Sequence, residues 1–398
     1  MSSTNKRAML NDFGGLFNTC TSQCKVFLGC GGCDTAPCGC AYPQKSGRRY
    51  KCGECYLICR DRKEATSENT SLKFEDYIDE GKFINEVSIN ANGFDKIPLF
   101  VPISSNMYKG DTLPISWVAA DMNTLFTKPK KKAAKLSSHY HTETLTRDYL
   151  KVDSNCTILA VLNGQDRFLE NLWGMGVDER LKAFSQLKNA GFSIGTGATY
   201  SLSNLTDIKT RTPQAHNVAM LMRHHKIIDE LNHSRLHTIP NIYWRDNDLL
   251  ELERWSQWLI SNPQVKTISR DFSSTRILGT VMEKTDELIN LLRKVGRPFH
   301  IMIIGTGSQI APALLKKLFD SGHTATVITS TPIYEARNSA IRYDIVNNKI
   351  TRKKDSSKSH DELILNNLEI FEHFLLSTID SSNTGDKYVA NLHGLVPI

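Results

Sequence analysis

Residues 300–329, with the sequence HIMIIGTGSQIAPALLKKLFDSGHTATVIT, decide the fold. Short apolar runs at His300–Gly305 and Thr324–Thr329 flank an amphipathic stretch at Gln309–Ser321. Apolar runs of this length predict buried strands, and the stretch between them is long enough for a crossover helix. This segment is therefore predicted to form one parallel βαβ unit.

The same alternation extends over most of the chain from residue 97 onward. About seven or eight such units in about 240 residues favour an α/β fold of the (β/α)₈ TIM-like barrel type over an open doubly wound sheet. A last helix, Asp361–Ser377, is predicted to dock on the barrel, and Arg352–Ser359 is predicted to be an exposed loop. The other predicted strands are Pro98–Ser104, Ile115–Ala120, Thr157–Leu162, Phe192–Thr196, Thr238–Trp244 and Lys266–Arg270, and the other predicted helices are Glu179–Ala190, Gln214–Asn232, Leu249–Ser261 and Val281–Val295.

The composition indicates a chain that can bury a core. Of its 398 residues, 40% are hydrophobic and 23% are charged, and the formal net charge is +7. The sequence has no uninterrupted apolar run long enough for an ordinary membrane span, and its N-terminus lacks the apolar segment of a secretory signal. We therefore expect a cytoplasmic protein without a membrane partner, whose positive charge is compatible with a polyanion partner.

Nine of the ten cysteines fall between Cys20 and Cys59. In a chain without an export signal, such a cluster indicates metal thiolates rather than disulfides. The pairs Cys30–Cys33 and Cys52–Cys55 have the CxxC…CxxC spacing of a four-thiolate zinc site. A second zinc site is possible in a pairing that the sequence leaves open, and iron–sulfur clusters are the alternative to zinc. The other candidate ligands are Cys20, Cys24, Cys38, Cys40 and Cys59.

These patterns divide the chain into three parts. Residues 1–65 are predicted to be a cysteine-rich metal module that needs its metal to fold, because they contain little periodic apolar sequence. Residues 66–96 are predicted to be a linker or short helix, and residues 97–398 the barrel with its C-terminal docking helix. Basic residues expected to bind nucleic-acid phosphates are Arg48, Arg49, Lys51, Lys130, Lys131 and Lys132.

Several segments of the predicted barrel resemble the tRNA-guanine transglycosylase superfamily, which includes a branch that inserts 7-deazaguanines into DNA. Pro98–Ser104 is similar to an early strand of that family, and His300–Ser308 to a late strand that ends in Gly-(Ile/Val)-Gly-(Ser/Thr). Thr329–Asn338, TSTPIYEARN, resembles the family's S-P-I-R-x-A-x-N segment, and Ile239–Trp244 stands where the family has I-P-V-x-Q-G. The resemblance covers about residues 97–340 and implies a barrel enzyme that exchanges a base in RNA or DNA.

The sequence departs from that family at the reacting residues. The family uses one aspartate to attack the sugar C1′ and another as general acid/base, and the resemblance puts Ile328 at the position of the nucleophile. Asn163 or Gly164 falls at the position of the second aspartate. The family's zinc ligands follow its last strands, whereas the cysteines here precede the barrel. The family chemistry is therefore predicted to be lost, moved or replaced.

Candidate catalytic residues follow predicted strands, because barrel enzymes carry their chemistry at the carboxyl ends of strands. Asp271 can replace the nucleophile with Arg270 keeping it ionised, and a structural Arg270–Asp271 pair is the alternative. Asp166 and Asp121 are the other catalytic candidates, with an ion pair and a loop cap as their structural alternatives. Residues predicted to bind substrate are Asn163, Tyr200, Trp244, Arg245, Arg270, Gly305, Gly307 and Ser308. The pair His224–His225, without a third spaced ligand, is expected at the surface.

Three functions fit these observations. We expect a transglycosylase-like enzyme that acts on a guanine- or 7-deazaguanine-type base in DNA or RNA. The isoleucine at position 328 favours the alternative of a catalytically degenerate nucleic-acid-binding subunit in a modification or defence complex. A third possibility is an iron–sulfur enzyme acting on a small molecule, which iron in the purified protein would favour.

Overall fold

The computed structural model describes residues 87–94, 96–127, 134–164, 166–173, 175–202, 214–244, 249–275, 277–379, 388–389 and 391–392. These residues form a mixed α/β fold with parallel sheets. Among the described residues, no helix is both long enough and apolar enough to span a bilayer.

Eight parallel strands run along the chain, and from β2 onward each is followed by one or two helices. The strands are β1 (Phe100–Pro102), β2 (Trp117–Asp121), β3 (Thr157–Val161), β4 (Phe192–Thr196), β5 (His237–Ile239), β6 (Thr267–Asp271), β7 (His300–Ile304) and β8 (Thr324–Thr329). The helices are α1 (Met122–Leu125), α2 (Glu143–Leu150), α3 (Asp166–Trp173), α4 (Val177–Asn189), α5 (Gln214–His233), α6 (Leu249–Ser261), α7 (Leu278–Val295), α8 (Ala311–Asp320), α9 (Thr331–Ser339) and α10 (His360–Ser377).

The eight strands follow one another around a ring. Hydrogen bonds join them in the orders β1–β8–β7–β6 and β2–β3–β4–β5. Just beyond the ends of β1 and β5, the parallel bridges Ile103–Ala119 and Asn241–Ser269 connect the two sheets. The ring is compatible with a TIM-like α/β domain, as the sequence predicts.

Alternation along the strands separates two apolar layers. Inward-facing residues such as Val101, Leu159 and Ile328 form a small cluster inside the ring. Their strand neighbours, such as Phe100 and Val327, belong to the larger cluster between the ring and the helices. Because successive side chains of a strand point to opposite faces, a continuous apolar run fills both layers, which explains why a strand such as β3 lacks a polar face.

The predicted exposed loop at Arg352–Ser359 is wrong for its first three residues. Lys349–Lys354 is a strand, β10, paired in antiparallel register with β9 (Ile341–Val346). The turn residues Asn347 and Asn348 have φ values of 52° and 56°, a left-handed conformation that asparagine tolerates better than most residues and that type I′ hairpin turns require. The remaining short pairs are Ile97–Pro98 with Tyr388–Val389 and Phe126–Thr127 with Lys135–Leu136, and Ser138–Tyr140 is a 3₁₀ turn.

The end of the predicted linker packs against the parallel strands. Val87 and Ile89 are buried, and the Asn92 amide donates to the carbonyl oxygens of Thr238 and Thr267 at 3.0 and 2.7 Å. These contacts lie at the amino ends of β5 and β6. The predicted boundary at residue 97 is therefore late, and the packed part of the chain includes residue 87.

Candidate functional site

The carboxyl ends of the strands form a polar mouth above the apolar interior. Each of the eight strands ends in, or is followed within two residues by, a side chain with a carboxylate, amide or hydroxyl group. These side chains are Ser104, Asp121, Asn163, Thr196, Asn241, Asp271, Thr306 and Thr329. A polar layer at this end suits a ligand site, since the binding and catalytic groups of barrel proteins come from these strand ends.

Asp271 faces into the ring because of the pattern of β6. Ser269 and Asp271 pair with Met302 and Ile304 of β7, and both of these partners belong to the interior cluster. Paired residues of neighbouring strands point the same way, so Ser269 and Asp271 point inward. The alternation Thr-Ile-Ser-Arg-Asp thus makes β6 polar on the inside, unlike its neighbour β7.

Two hydrogen bonds orient the Asp271 carboxylate. The Asn163 amide donates to Oδ2 at 2.8 Å, and the backbone N–H of Ser273 donates to Oδ1 at 2.8 Å. Asn163 itself is held by Thr199, whose Oγ1 accepts from the same amide at 3.1 Å. The Asp271 carboxylate is partly exposed to solvent, whereas Asn163, which holds it in place, is buried.

A cleft of about 280 Å³ opens beside Asp271. Its volume lies at the small end of the range for ligand pockets, which suits one ring system rather than a long cofactor. The lining combines aromatic rings, hydroxyl groups and charges. It consists of Gly164, Thr199, Tyr200, Ser201, Leu202, Tyr243, Trp244, Arg270, Asp271, Ser273, Ser274, Thr275 and Lys284.

Trp244 forms a fixed part of the cleft wall. The Arg270 guanidinium lies 4.0 Å from the centre of the Trp244 ring and donates to the Ile242 carbonyl oxygen at 2.8 Å. The indole N–H donates to Glu287 at 2.7 Å. Arg270, on the opposite face of β6 from Asp271, therefore supports the aromatic wall through a cation–π contact. Asp271, Asn163, Trp244 and Arg270 were all predicted as site residues, and the structure brings them together.

Tyr200 also lines the cleft but is almost wholly buried. Its hydroxyl donates to the Leu169 carbonyl oxygen at 3.5 Å, and its ring meets Trp173 edge-on with centroids 6.4 Å apart. Behind it, Arg180 and Glu230 form a buried pair with N–O distances of 2.7 and 2.8 Å. Tyr200 thus connects the cleft to a rigid buried cluster, and burial limits its predicted contact with substrate to the small part of its side chain that lines the cleft.

The other two catalytic candidates differ in position. Asp121 ends β2 and caps α1, because its Oδ1 accepts from the Thr124 N–H at 3.1 Å. The Asn123 amide donates to its other oxygen at 3.0 Å, so the loop-cap alternative is confirmed. In the ring order, β2 lies opposite β6, which places Asp121 across the mouth from Asp271. Asp166 begins α3, and its side chain lies outside the described residues.

The Gly305–Ser308 turn supports its neighbours. Gly305 has a φ of +82°, and a Cβ there would lie 2.5 Å from the Ser273 Cβ. Glycine is therefore required for the close approach of the turns that follow β6 and β7. The Gly307 carbonyl oxygen accepts the N–H groups of Ile310 and Ala311 at the start of α8. The Ser308 hydroxyl accepts from Arg352 of the hairpin at 3.0 Å.

Asn241 also belongs to the mouth, whereas Thr306, between two predicted site glycines, is a mouth residue that sequence reasoning missed. Asn241 is fully buried and its amide donates to Thr199, which lines the cleft. Within the described part of the chain, Asn241 Oδ1 and Thr306 Oγ1 are buried without a hydrogen-bond partner. Buried polar atoms are usually paired, so these two mark the mouth as a place where a ligand can complete the bonding. The signal for Thr306 was available, since this residue directly follows the predicted strand His300–Gly305.

The expectation that His224 and His225 lie at the surface is wrong. Both are fully buried in α5, and the Asn241 N–H donates to His224 Nε2 at 3.1 Å. Burial lowers the pKa of His225 to about 4 and holds the pKa of His224 well below its ordinary value. Both are therefore neutral core residues, and His224 helps to fix Asn241.

Many predicted site residues lie outside the described residues. They are the nine clustered cysteines Cys20, Cys24, Cys30, Cys33, Cys38, Cys40, Cys52, Cys55 and Cys59, the basic residues Arg48, Arg49, Lys51, Lys130, Lys131 and Lys132, and Arg245. Among the described residues, no group of three or more His, Cys, Asp or Glu side chains is placed to hold a metal ion. The zinc and iron–sulfur interpretations stay predictions.

No family model matches the sequence, and no curated protein matches it. Among solved structures, the chain is similar to the carboxyl transferase domain of Rhizobium etli pyruvate carboxylase with 3-bromopyruvate, at a TM-score of 0.36 and 12% identity, over 75% of this chain and 49% of that chain. A second structure of the same domain gives a TM-score of 0.33 and 9% identity, over 75% and 48%. The chain thus spans about half the length of these structures, and similarity of this degree supports no transfer of function.

Proposed function

We propose that this chain is a transglycosylase-like enzyme on a (β/α)₈ barrel that exchanges a guanine- or 7-deazaguanine-type base in DNA or RNA. One observation carries the proposal: an inward-facing carboxylate, Asp271, is oriented by Asn163 and Ser273 beside an aromatic-walled cleft of about 280 Å³. A carboxylate at this end of a barrel can serve as a nucleophile. It replaces the family aspartate, because Ile328 is buried inside the ring.

The exchange runs in two displacements at the sugar. One Asp271 oxygen attacks C1′, the bond from C1′ to the base breaks, and the base leaves with the bonding electrons and gains a proton. The sugar is then held as an ester of Asp271. The incoming base loses a proton, attacks C1′ and releases the carboxylate, so the chain is unchanged and no net oxidation occurs. The Asn163 and Ser273 donors fix the attacking carboxylate before the reaction, which lowers the cost of orientation.

The proton transfers need a second group, and Asp121 is our candidate. It lies across the mouth from Asp271 and outside the lining of the cleft, so it can serve only a base that extends from the cleft over the mouth. General acid/base groups act at hydrogen-bonding distance from the atom that gains or loses the proton. Asp121 also caps α1, and its substitution is therefore expected to lower activity together with some loss of local order.

The cleft wall suits recognition of a flat heterocycle. An enzyme that acts on a nucleic-acid base must take it out of the stack and bind its ring and its edge. Trp244 is 5% exposed with Arg270 against one ring face, so it presents only part of its ring to the cleft. Of the two buried amides at the mouth, that of Asn163 already donates to Asp271 and Thr199. The unpartnered Asn241 Oδ1 suits an N–H donor, which a guanine-type edge carries.

A base-exchange assay tests the proposal. Wild-type chain is incubated with tRNA or duplex DNA and labelled guanine or 7-deazaguanine, and incorporation is measured. Asp271→Asn is expected to lower the rate by about 10³-fold or more, the scale seen when a nucleophile is removed. Asp320→Asn, on the exposed end of α8, is the matched control and is expected to retain full activity. Exchange by Asp271→Asn at the wild-type rate would contradict the proposal.

The second candidate function is a nucleic-acid-binding subunit without catalysis. The buried, apolar Ile328 at the position that the resemblance assigns to the nucleophile favours it. The same assay separates the two: salt-sensitive binding of nucleic acid with no exchange by the wild-type chain would establish the second function and remove the first.

The metal and phosphate-binding assignments belong to this proposal as predictions from the sequence. We propose zinc at the clustered cysteines, with an iron–sulfur cluster as the alternative, and the basic residues beside them as phosphate contacts. Elemental analysis of anaerobically purified protein decides between zinc and iron. Iron with charge-transfer absorption would favour an enzyme acting on a small molecule.

A further inference from the structure

The hairpin β9–β10 carries an unusual concentration of positive charge. Three lysines of β10 are exposed, namely Lys349, Lys353 and Lys354. In the part of the chain that the structure describes, none of these three amines has a carboxylate within ion-pair distance. Arg342, by contrast, is paired with Asp344 and Asp355 at 3.3 and 3.8 Å. The three lysines are therefore charges without an internal partner.

The hairpin is held rigidly against the rest of the fold. Tyr343 is buried on its inner face, and its hydroxyl donates to Glu335 of α9 at 2.8 Å. The Tyr343 N–H donates to Asn367 of α10 at 2.8 Å, and Asn366 donates to the Tyr343 carbonyl oxygen at 3.0 Å. These bonds fix the hairpin. Lys349 and Lys353 lie on the face of β10 opposite Tyr343, whereas Lys354, at the end of the strand, lies on the same face as Arg352.

A short series of contacts links the hairpin to the Asp271 cleft. Arg352 of β10 donates to Ser308 at 3.0 Å, in the turn that follows β7. In the same turn, Gly305 packs directly against Ser273, and Ser273 lines the cleft. The hairpin thus lies at the carboxyl end of the barrel, beside the mouth. On the neighbouring helix α9, the side chain of Tyr334 is 55% exposed.

We propose that the hairpin lysines Lys349, Lys353 and Lys354 form a docking surface for the phosphate backbone of the nucleic acid whose base enters the Asp271 cleft. This inference rests on the proposed action on nucleic acid. Positive side chains that release counterions from a polyanion supply most of its sequence-independent affinity. Lys349 and Lys353 are about 13 Å apart along an extended strand, a spacing that lets each contact a different phosphate.

Salt-dependent binding tests the docking surface. The probes are a fluorescein-labelled DNA duplex and an RNA of the same sequence, and the full-length chain is titrated at several salt concentrations. The variant K349Q/K353Q/K354Q keeps side-chain length but removes three charges. With the probe that is the substrate, we expect the slope of log K against log salt to become less steep by about 2.7 in this variant. Its affinity at 0.15 M salt should be about 100-fold weaker than that of the wild type.

The control is K182Q/K188Q/K316Q, which removes three exposed lysines from the outer helices α4 and α8 and is expected to bind as the wild type does. Hairpin and control variants with equal affinity and slope would overturn the inference. Wild-type binding to phosphatidylserine vesicles but to neither nucleic acid would also overturn it.

The outcomes separate this inference from the proposed function. If the hairpin variant binds nucleic acid normally and exchanges the base at the wild-type rate, the docking surface is ruled out and the proposed function is still supported. Hairpin-dependent binding without any exchange by the wild-type chain supports the docking surface and removes the enzymatic proposal.

Discussion

Replacing Gly305 by alanine perturbs the mouth at its tightest point. The residue has a φ of +82°, and a left-handed conformation costs an L-residue about 1–2 kcal/mol. The new Cβ would also lie 2.5 Å from the Ser273 Cβ and 2.7 Å from its Cα, and overpacking of this kind costs about 1–3 kcal/mol. We therefore expect Gly305→Ala to lower the free energy of unfolding by about 2–5 kcal/mol.

Gly322→Ala separates the two contributions. Gly322 has nearly the same φ, +81°, but no atom lies within 4 Å of the place where its Cβ would be. Its substitution is expected to cost only the conformational strain, about 1–2 kcal/mol. Urea unfolding of the wild type and both variants measures the difference, which should be about 1–3 kcal/mol.

The same substitution should impair function. Ser273 must move to accommodate the new methyl group, and its N–H is one of the two donors to Asp271. Exchange activity should therefore fall in Gly305→Ala and stay near the wild-type rate in Gly322→Ala. Equal stabilities and equal activities of the two variants would refute the close approach of the β6 and β7 turns.

Two further predictions concern buried charge. Burial lowers the pKa of His225 to about 4 in the folded chain. Below about pH 6.5 the unfolded chain takes up a proton that the folded chain does not, so stability is lost as the pH falls from about 6.5 toward 4. The loss is about 2 kcal/mol at pH 5. Between pH 7.5 and pH 5, the free energy of unfolding in urea should therefore fall about 2 kcal/mol less for His225→Gln than for the wild type. The control, His373→Gln at an exposed position, should follow the wild type. Equal pH profiles of the two variants would contradict the burial of a neutral His225. Glu230→Ala leaves the buried Arg180 without its carboxylate and should lower the free energy of unfolding by about 3–5 kcal/mol. Asp286→Ala breaks a more exposed ion pair with Lys317 and should lower it by about 1 kcal/mol or less. Equal thermal denaturation of those two variants would show that the Arg180–Glu230 pair is not buried.

The sequence allows most of the strand and helix order to be predicted. Strands Phe192–Thr196 and Thr324–Thr329 and helix Leu249–Ser261 have the predicted bounds. These elements are long, strongly periodic or bounded by clear breaks, so the local signal agrees with the packing. Strand β5 is shorter than predicted, because residues 240–244 leave the strand to build the mouth and the cleft wall.

Other features depend on contacts that no local pattern contains. The hairpin was missed because Arg352–Lys354 is polar and charged, and only its pairing with β9 and the burial of Tyr343 make it a strand. His224 and His225 were assigned to the surface by residue type, whereas α5 is buried on the side that carries them.

The site was predictable in part for a physical reason. Asp271, Asn163 and Trp244 were identified because parallel strands bring their carboxyl ends to one edge. The geometry between them was not predictable, since the bond from Asn163 to Asp271 joins residues 108 positions apart. The role of Arg270 also changed, from a partner of Asp271 to the support of Trp244.

Trapping of a covalent complex tests the central claim most directly. Wild-type chain is incubated with the nucleic acid that supports exchange, denatured in detergent and analysed by gel and by mass spectrometry of the peptide that contains Asp271. We expect a detergent-resistant adduct on Asp271 that disappears when free base is added and does not form with Asp271→Asn. An adduct that forms equally well with Asp271→Asn, or exchange that proceeds with the sugar attached to another residue, would contradict the central claim.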